Sequence, residues 1–169
     1  MKFNYYALKA VYLHEMDRFR RTLAQSLLSP VLSTSLYFIV FGSVIGGYVQ
    51  NIDGISYGSY IVPGLLMLTL LTQSISNTSF GIFFPKFNGT IYEILAAPIS
   101  TFEVVLAFVG AGATKTLIVG AMIFFTATFF VEVEVKYPVL MIFLLILVSF
   151  TFALFGFLIG LMSSNFEQM

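Results

Sequence analysis

The chain has 169 residues, of which 59% are hydrophobic and 9% charged, with zero net charge and no cysteine. A soluble domain carries about 25% charged residues, so lipid is the solvent for most of this sequence. The balance gives no electrostatic footprint for nucleic acid, the missing cysteines exclude disulfides and thiolate chemistry, and the one histidine, His14, builds no metal site alone.

The first thirty residues are charged but patterned. Tyr5, Leu8, Tyr12, Met16, Phe19, Leu23 and Leu27 recur at steps of three or four, a single helical stripe. Lys9, Glu15, Asp17, Arg18, Arg20, Arg21 and Gln25 lie off it. An aromatic face opposite a basic face predicts an interfacial amphipathic helix over residues 1–29, lying flat on the membrane with Tyr12 and Phe19 inward and Arg18, Arg20 and Arg21 outward. The alternative is a helix packed on a protein partner. Charges continuing to Arg21 and a full-length span after "RRTLAQS" argue against a cleaved signal.

Four apolar runs are long enough to cross the hydrocarbon as helices. They are predicted at residues 31–49, entered at Pro30, then 60–84, 102–131 and 138–162. Residues 30–169 therefore form one transmembrane domain. Lys2, Lys9, Arg18, Arg20, Arg21 and Lys86 fall on one side and only Lys136 on the other, with Lys115 inside the third span, which accounts for the eight basic residues. The positive-inside rule makes the N-terminus, the loop after the second span and the tail "SSNFEQM" cytoplasmic.

That cytoplasmic loop, "FFPKFNGTIYEILAAPIS", carries its own punctuation. Asn88-Gly89 predicts a turn. Ile91, Ile94 and Leu95 predict one apolar face of a short helix over about 89–97, with Glu93 elsewhere. Pro98 ends it by pushing Ala97 out of helix. Ser100 or Thr101 then caps the third span, with Glu103 in its first turn.

Other motifs carry less. "GISYG" (Gly54 to Gly58) matches a nucleophile elbow by letter, but it lies in an outer loop with His14 on the opposite side, so a turn is predicted. The sequons at Asn77 and Asn88 fall in a span and on the cytoplasmic side. No P-loop occurs, so ATP hydrolysis by that route is not expected from this chain. Gly42/Gly46 and Gly156/Gly160 are spaced for close helix packing. Pro63-Gly64 loosens the second span near its outer end. Thr69, Gln73 and Asn77 share one face of that span and either line a path or hydrogen-bond between helices. Lys115 is the only charge read as deep in a span; it lines a path, or it snorkels or pairs on another helix.

The order of a basic amphipathic helix, "YFIVFGSVIGG", "YIVPGLLMLTLL", "FNGTIYEILAAPIS" and a long span carrying Lys115 resembles the ABC-2 type transporter permease family, over the whole chain and most closely at "IVPGLLM" and "TIYEILAAPIS". The resemblance implies an all-α membrane protein with four of the family's six spans, ending before the fifth. It implies a permease subunit of a bacterial ABC exporter in the inner membrane, not itself an enzyme and with no cofactor of its own. ATP would be bound by a separate nucleotide-binding subunit, and a second permease subunit would complete a dimer. Thr90, Glu93, Ile94, Leu95, Pro98 and Ser100 match the family's coupling helix, and the N-terminal helix matches its connecting helix. The competing readings are an ATP-independent carrier or channel and a non-transporting scaffold.

Overall fold

The computed structural model describes residues 3–45, 51–52, 55–133 and 135–165. Among them are six α-helices: α1 (Tyr5–Arg21), α2 (Leu23–Tyr37), α3 (Tyr57–Phe87), α4 (Ile91–Ala96), α5 (Thr101–Ala127) and α6 (Pro138–Met162). A wider-wound π-helical stretch, Phe38–Ile45, continues α2. A small hairpin, β1 (Asn51–Ile52) with β2 (Ile55–Ser56), pairs antiparallel with Asn51 opposite Ser56.

Among the described residues, four helices are long and apolar enough to cross a membrane: Leu23–Phe41, Tyr57–Phe87, Thr101–Ala127 and Pro138–Met162. The fourth starts and stops where the sequence predicted, with Pro138 in the first turn. The first begins at Leu23 and not at Val31. Pro30 lies inside α2 and is not its entry; the break comes at Thr22, whose hydroxyl bonds back to the Arg18 and Phe19 carbonyls (both 3.3 Å). The break between α1 and the first long apolar helix therefore falls at Thr22, seven residues before the expected domain division after residue 29. The second span runs on through Pro85 to Phe87, started by Ser56, whose hydroxyl accepts from the Ser59 N–H at 3.3 Å. The third ends at Ala127, and residues 128–131 form a tight turn against the Thr126 and Ala127 carbonyls.

Helix α3 is the centre of the bundle. It packs on α5 and α6, which pack on each other, while α1 and α2 lie along α5. The core runs in three layers from end to end. Phe38, Val62 and Ala127 form one end; Leu66, Leu70, Val119 and Ile123 the middle; Ile82, Val104, Phe108, Val109, Ala113, Ala153 and Phe157 the other end. Gly156 and Gly160 let α6 touch the backbone of α3: a Cβ on Gly156 would lie 2.8 Å from Ile75 Cα, and one on Gly160 3.0 Å from Ser79 Cα. Gly46, of the other glycine pair, lies outside the described residues.

Candidate functional site

At the end of the bundle away from the hairpin, α3 turns into α4. Asn88 closes α3, with its N–H on the Phe84 carbonyl at 3.0 Å, and Gly89 takes φ +79°. A side chain is strained in that region, so glycine suits the position. Thr90 ties the turn together by donating its hydroxyl to the Pro85 carbonyl at 3.4 Å. No side chain of α4 is buried. Ile91 and Ile94 pack half-buried on the adjacent core layer. Leu95 was expected with them but is 62% exposed, beside Tyr92 at 72%. The two are three apart and share the outward face with Glu93, because a two-turn helix resting on Ile91 and Ile94 has no third inward position.

Ala97 is extended (ψ 154°), as the following Pro98 requires. A full capping box starts α5. Ser100 Oγ accepts the Glu103 N–H at 3.3 Å, and the Ser100 N–H donates to Glu103 Oε2 at 2.7 Å. The other carboxylate oxygen of Glu103 accepts the backbone N–H of Asn4. Asn4 also donates its side-chain amide to the Pro98 carbonyl at 3.2 Å and caps α1 by accepting the Ala7 N–H at 3.2 Å. The start of α1 is thus bonded to the junction of α4 and α5. No periodicity announces this; Asn4 reads in the sequence only as a cap.

From Asn4, α1 runs along α5. The Tyr12 hydroxyl donates to Thr114 Oγ1 at 3.1 Å. One turn on, Glu15 Oε2 receives both Lys115 Nζ and Arg18 Nη2, each at 2.8 Å. Glu15 and Lys115 are buried, and Glu15 Oε1 has no partner. The stripe read from the sequence is therefore rotated. Glu15, placed on the polar face, is on the packed face with Phe19, while Tyr5 is 58% exposed. The correction follows from Lys115: a buried cation needs an anion more than a further apolar neighbour. Arg18 reaches inward, its guanidinium 5.8 Å from the Phe80 ring centre. Arg20 stays exposed, 3.9 Å from Asp17.

The Glu15–Lys115 pair meets α3 at Gly81, where a Cβ would lie 3.4 Å from Glu15 Oε2. Along α5 it lies between the core layer of Val104, Phe108 and Val109 on the α4 side and that of Val119 and Ile123 on the other. Side chains on a helix lean toward its N-terminus, which directs the Lys115 ammonium toward the α4 side.

The polar stripe of α3 is a separate feature. Thr69, Gln73 and Asn77 are half-buried on one face, with the Asn77 amide 3.5 Å from Gln73 Oε1 and the Thr69 hydroxyl on the Leu65 carbonyl at 2.8 Å. Lys115 does not join them; its ammonium is directed to Glu15. Ser56, from the "GISYG" stretch, serves as the α3 cap, with its hydroxyl 2.8 Å from that of Ser59; Gly54 lies outside the described residues.

The comparisons with known proteins agree with this architecture. The family model described as ABC-2 type transporter matches residues 6–169. The inner membrane transport permease YadH of Escherichia coli K12 is 36% identical over 163 residues, covering 96% of this chain and 64% of that protein. The same holds for the YadH proteins of Escherichia coli O157:H7 and Shigella flexneri. The chain thus spans a little under two thirds of the length of these relatives. No solved structure matches it. With a short exposed helix held between its second and third long apolar helices, and with a family match over nearly its whole length, the chain belongs to the ABC-2 type transporter family.

Proposed function

We propose that this chain is the membrane part of an ABC exporter permease, with α4 as the element that docks on a separate ATPase subunit. One observation carries the reading. Helix α4 buries none of its own side chains, yet both its ends are fixed: by the Gly89 turn to α3 and by the Ser100–Glu103 box to α5. A lone solvated loop gains nothing from such fixation, whereas a force-transmitting contact requires it. Tyr92, Glu93 and Leu95 present the contact face, Ile94 seats the helix on the bundle, and Thr90, Pro98 and Ser100 hold its ends. An aromatic and an aliphatic side chain beside one carboxylate make an interface core with a charged rim.

The N-terminus, α4 and the end of α6 lie on the cytoplasmic side of a bacterial inner membrane in this reading. The basic residues Arg18, Arg20 and Arg21 in the last turn of α1 support it. A second permease copy completes the path, and Thr69, Gln73 and Asn77 line it. The chain itself carries no hydrolytic chemistry; ATP is bound by the partner.

The test is docking. Glu93→Lys in the assembled transporter is expected to weaken ATPase association and stimulated hydrolysis, read by co-purification and phosphate release. Unchanged association and hydrolysis would remove Glu93 from the interface. The same result with Tyr92→Ala/Leu95→Ala as well would remove α4.

A further inference from the structure

We propose that Glu15 and Lys115 are a positioning pair that seats α1 on α5, so that α1, the α4–α5 junction and the first half of α5 move as one piece. The inference rests on the exporter reading and adds to it a second route by which cytoplasmic force enters the membrane.

The geometry is a clamp with two jaws. At one end the Asn4 N–H and side-chain amide hold Glu103 and the Pro98 carbonyl. At the other, Lys115 Nζ and Glu15 Oε2 are 2.8 Å apart and buried. Between the jaws Tyr12 bonds Thr114, and its ring passes 3.9 Å from where a Gly110 Cβ would sit. The partners advance together along both helices, from Asn4 on Glu103, through Tyr12 on Thr114, to Glu15 on Lys115. Two helices bonded at three such levels cannot rotate or slide independently.

The charges make the clamp conditional. Lys115 and Arg18 both aim at one oxygen of Glu15, and no other acid of the described residues bonds to either. Among the charged groups packed here, from α1 and from α5, only Glu15 is negative. Removing it leaves Lys115 buried with Arg18 as a like-charged neighbour, the costliest arrangement of the three. Removing Lys115 leaves Glu15 still paired with Arg18. Removing both leaves two apolar side chains at the seam and frees Arg18, whose side chain is 24% exposed and can turn to water. The order of damage is therefore Glu15→Met, then the double variant, then Lys115→Met. A role of Lys115 toward a transported anion predicts a different order, with Lys115→Met worst.

The experiment is a cross-link series in the transporter reconstituted with its ATPase. Tyr12→Cys and Thr114→Cys place thiols on facing positions of α1 and α5, in a chain that carries no cysteine; because a cysteine is much shorter than the tyrosine it replaces, the two are joined by a short bifunctional thiosulfonate cross-linker. Glu15→Met is expected to lower the cross-link yield roughly tenfold, with partial recovery on adding Lys115→Met, because the two residues act as a unit. Transport per ATP hydrolysed should fall in parallel, and Lys115→Arg should keep both. If Glu15→Met does not yield folded protein, Glu15→Gln, which keeps an acceptor, reads the same loss. Full cross-linking in Glu15→Met or Glu15→Gln overturns the seat, as does a double variant no better than Glu15→Met. A lost cross-link with unchanged transport per ATP overturns the coupling role. If the parent protein engages no ATPase, the exporter reading fails, and the cross-link series by itself decides the seat.

Discussion

Helices α5 and α6 are both long apolar spans, yet they are built on opposite plans. The most apolar window of α6 has mean hydropathy 2.8 and is 22% buried, whereas that of α5 has 1.8 and is 61% buried. The more hydrophobic helix is the one less covered by protein. In water this would be backwards. In a bilayer the hydrophobic effect is satisfied at insertion, and lipid tails are as apolar as leucine. High hydropathy therefore marks the lipid-facing helix, and the protein core is where small and polar residues collect. Helix α5 carries Ala107, Ala111, Gly112, Ala113, Thr116 and Gly120 in its buried face, along with Lys115 and Glu103. Helix α6 fully buries Ser149, Ala153, Gly156, Phe157 and Gly160, and sends Leu147, Phe155 and Leu158 outward.

The comparison breaks most readily at that narrow strip of α6. Gly156→Leu forces a side chain into the backbone of Ile75, where no rotamer relieves the clash. The expected cost is roughly 3 kcal/mol, the upper range for overpacking, read as a lower unfolding midpoint and loss of monodisperse protein in detergent. On the outward face the expectation inverts. Leu147→Arg is expected to cost about 2.5 kcal/mol in membrane insertion, while Leu147→Ala should leave stability within about 0.5 kcal/mol. Helix α5 and its α3 neighbour should not show this split: Leu70→Ala, at a residue of α3 that is 1% exposed and packs on Gly120 of α5, is expected to cost about 2 kcal/mol or more. If Leu147→Ala costs as much as Leu70→Ala, protein and not lipid covers the outer face of α6.

The same division explains what the sequence made legible. Long apolar runs announce spans, and Pro138 to Met162 was readable to the residue because no charge interrupts it and a proline opens it. The capping box of α5 and the Gly89 turn were readable too, since each is specified by neighbours in sequence. What resisted was everything decided between helices. Pro30 looks like a helix entry and is not, because the side chain that stops α1 is Thr22, an ordinary residue in sequence. Leu95 looks like a partner of Ile94 until α4 is set on the bundle. Glu15 falls on the polar side of any hydropathy wheel, and only the Lys115 ammonium, arriving from residues a hundred positions away, turns that face inward. The one sequence signal was Lys115 itself. A cation near a span needs an anion, and Glu15 on a helix leading into the membrane was among the few available.

At the ends next to α4 the two helices differ again, in how their polar groups are satisfied. Helix α5 begins with a box made by its own first turn, with Asn4 added from α1. Replacing Ser100 by Ala removes the acceptor for the Glu103 N–H, at an expected cost of about 1 kcal/mol. Helix α6 ends without such a device. Its carbonyls are instead taken by Lys86 from α3, whose Nζ donates to Leu161 O at 2.7 Å and Ser163 O at 2.9 Å. A cation there also opposes the negative end of the helix dipole. Lys86→Met should therefore fray the last turn of α6, but only slightly, because Lys86 is exposed and water replaces the lost donors. The expected effect is about 0.5 kcal/mol, read as faster hydrogen exchange confined to the amides of residues 158–163. Faster exchange across the whole of α6 would mean that Lys86, and not the glycine strip, holds this helix in the bundle.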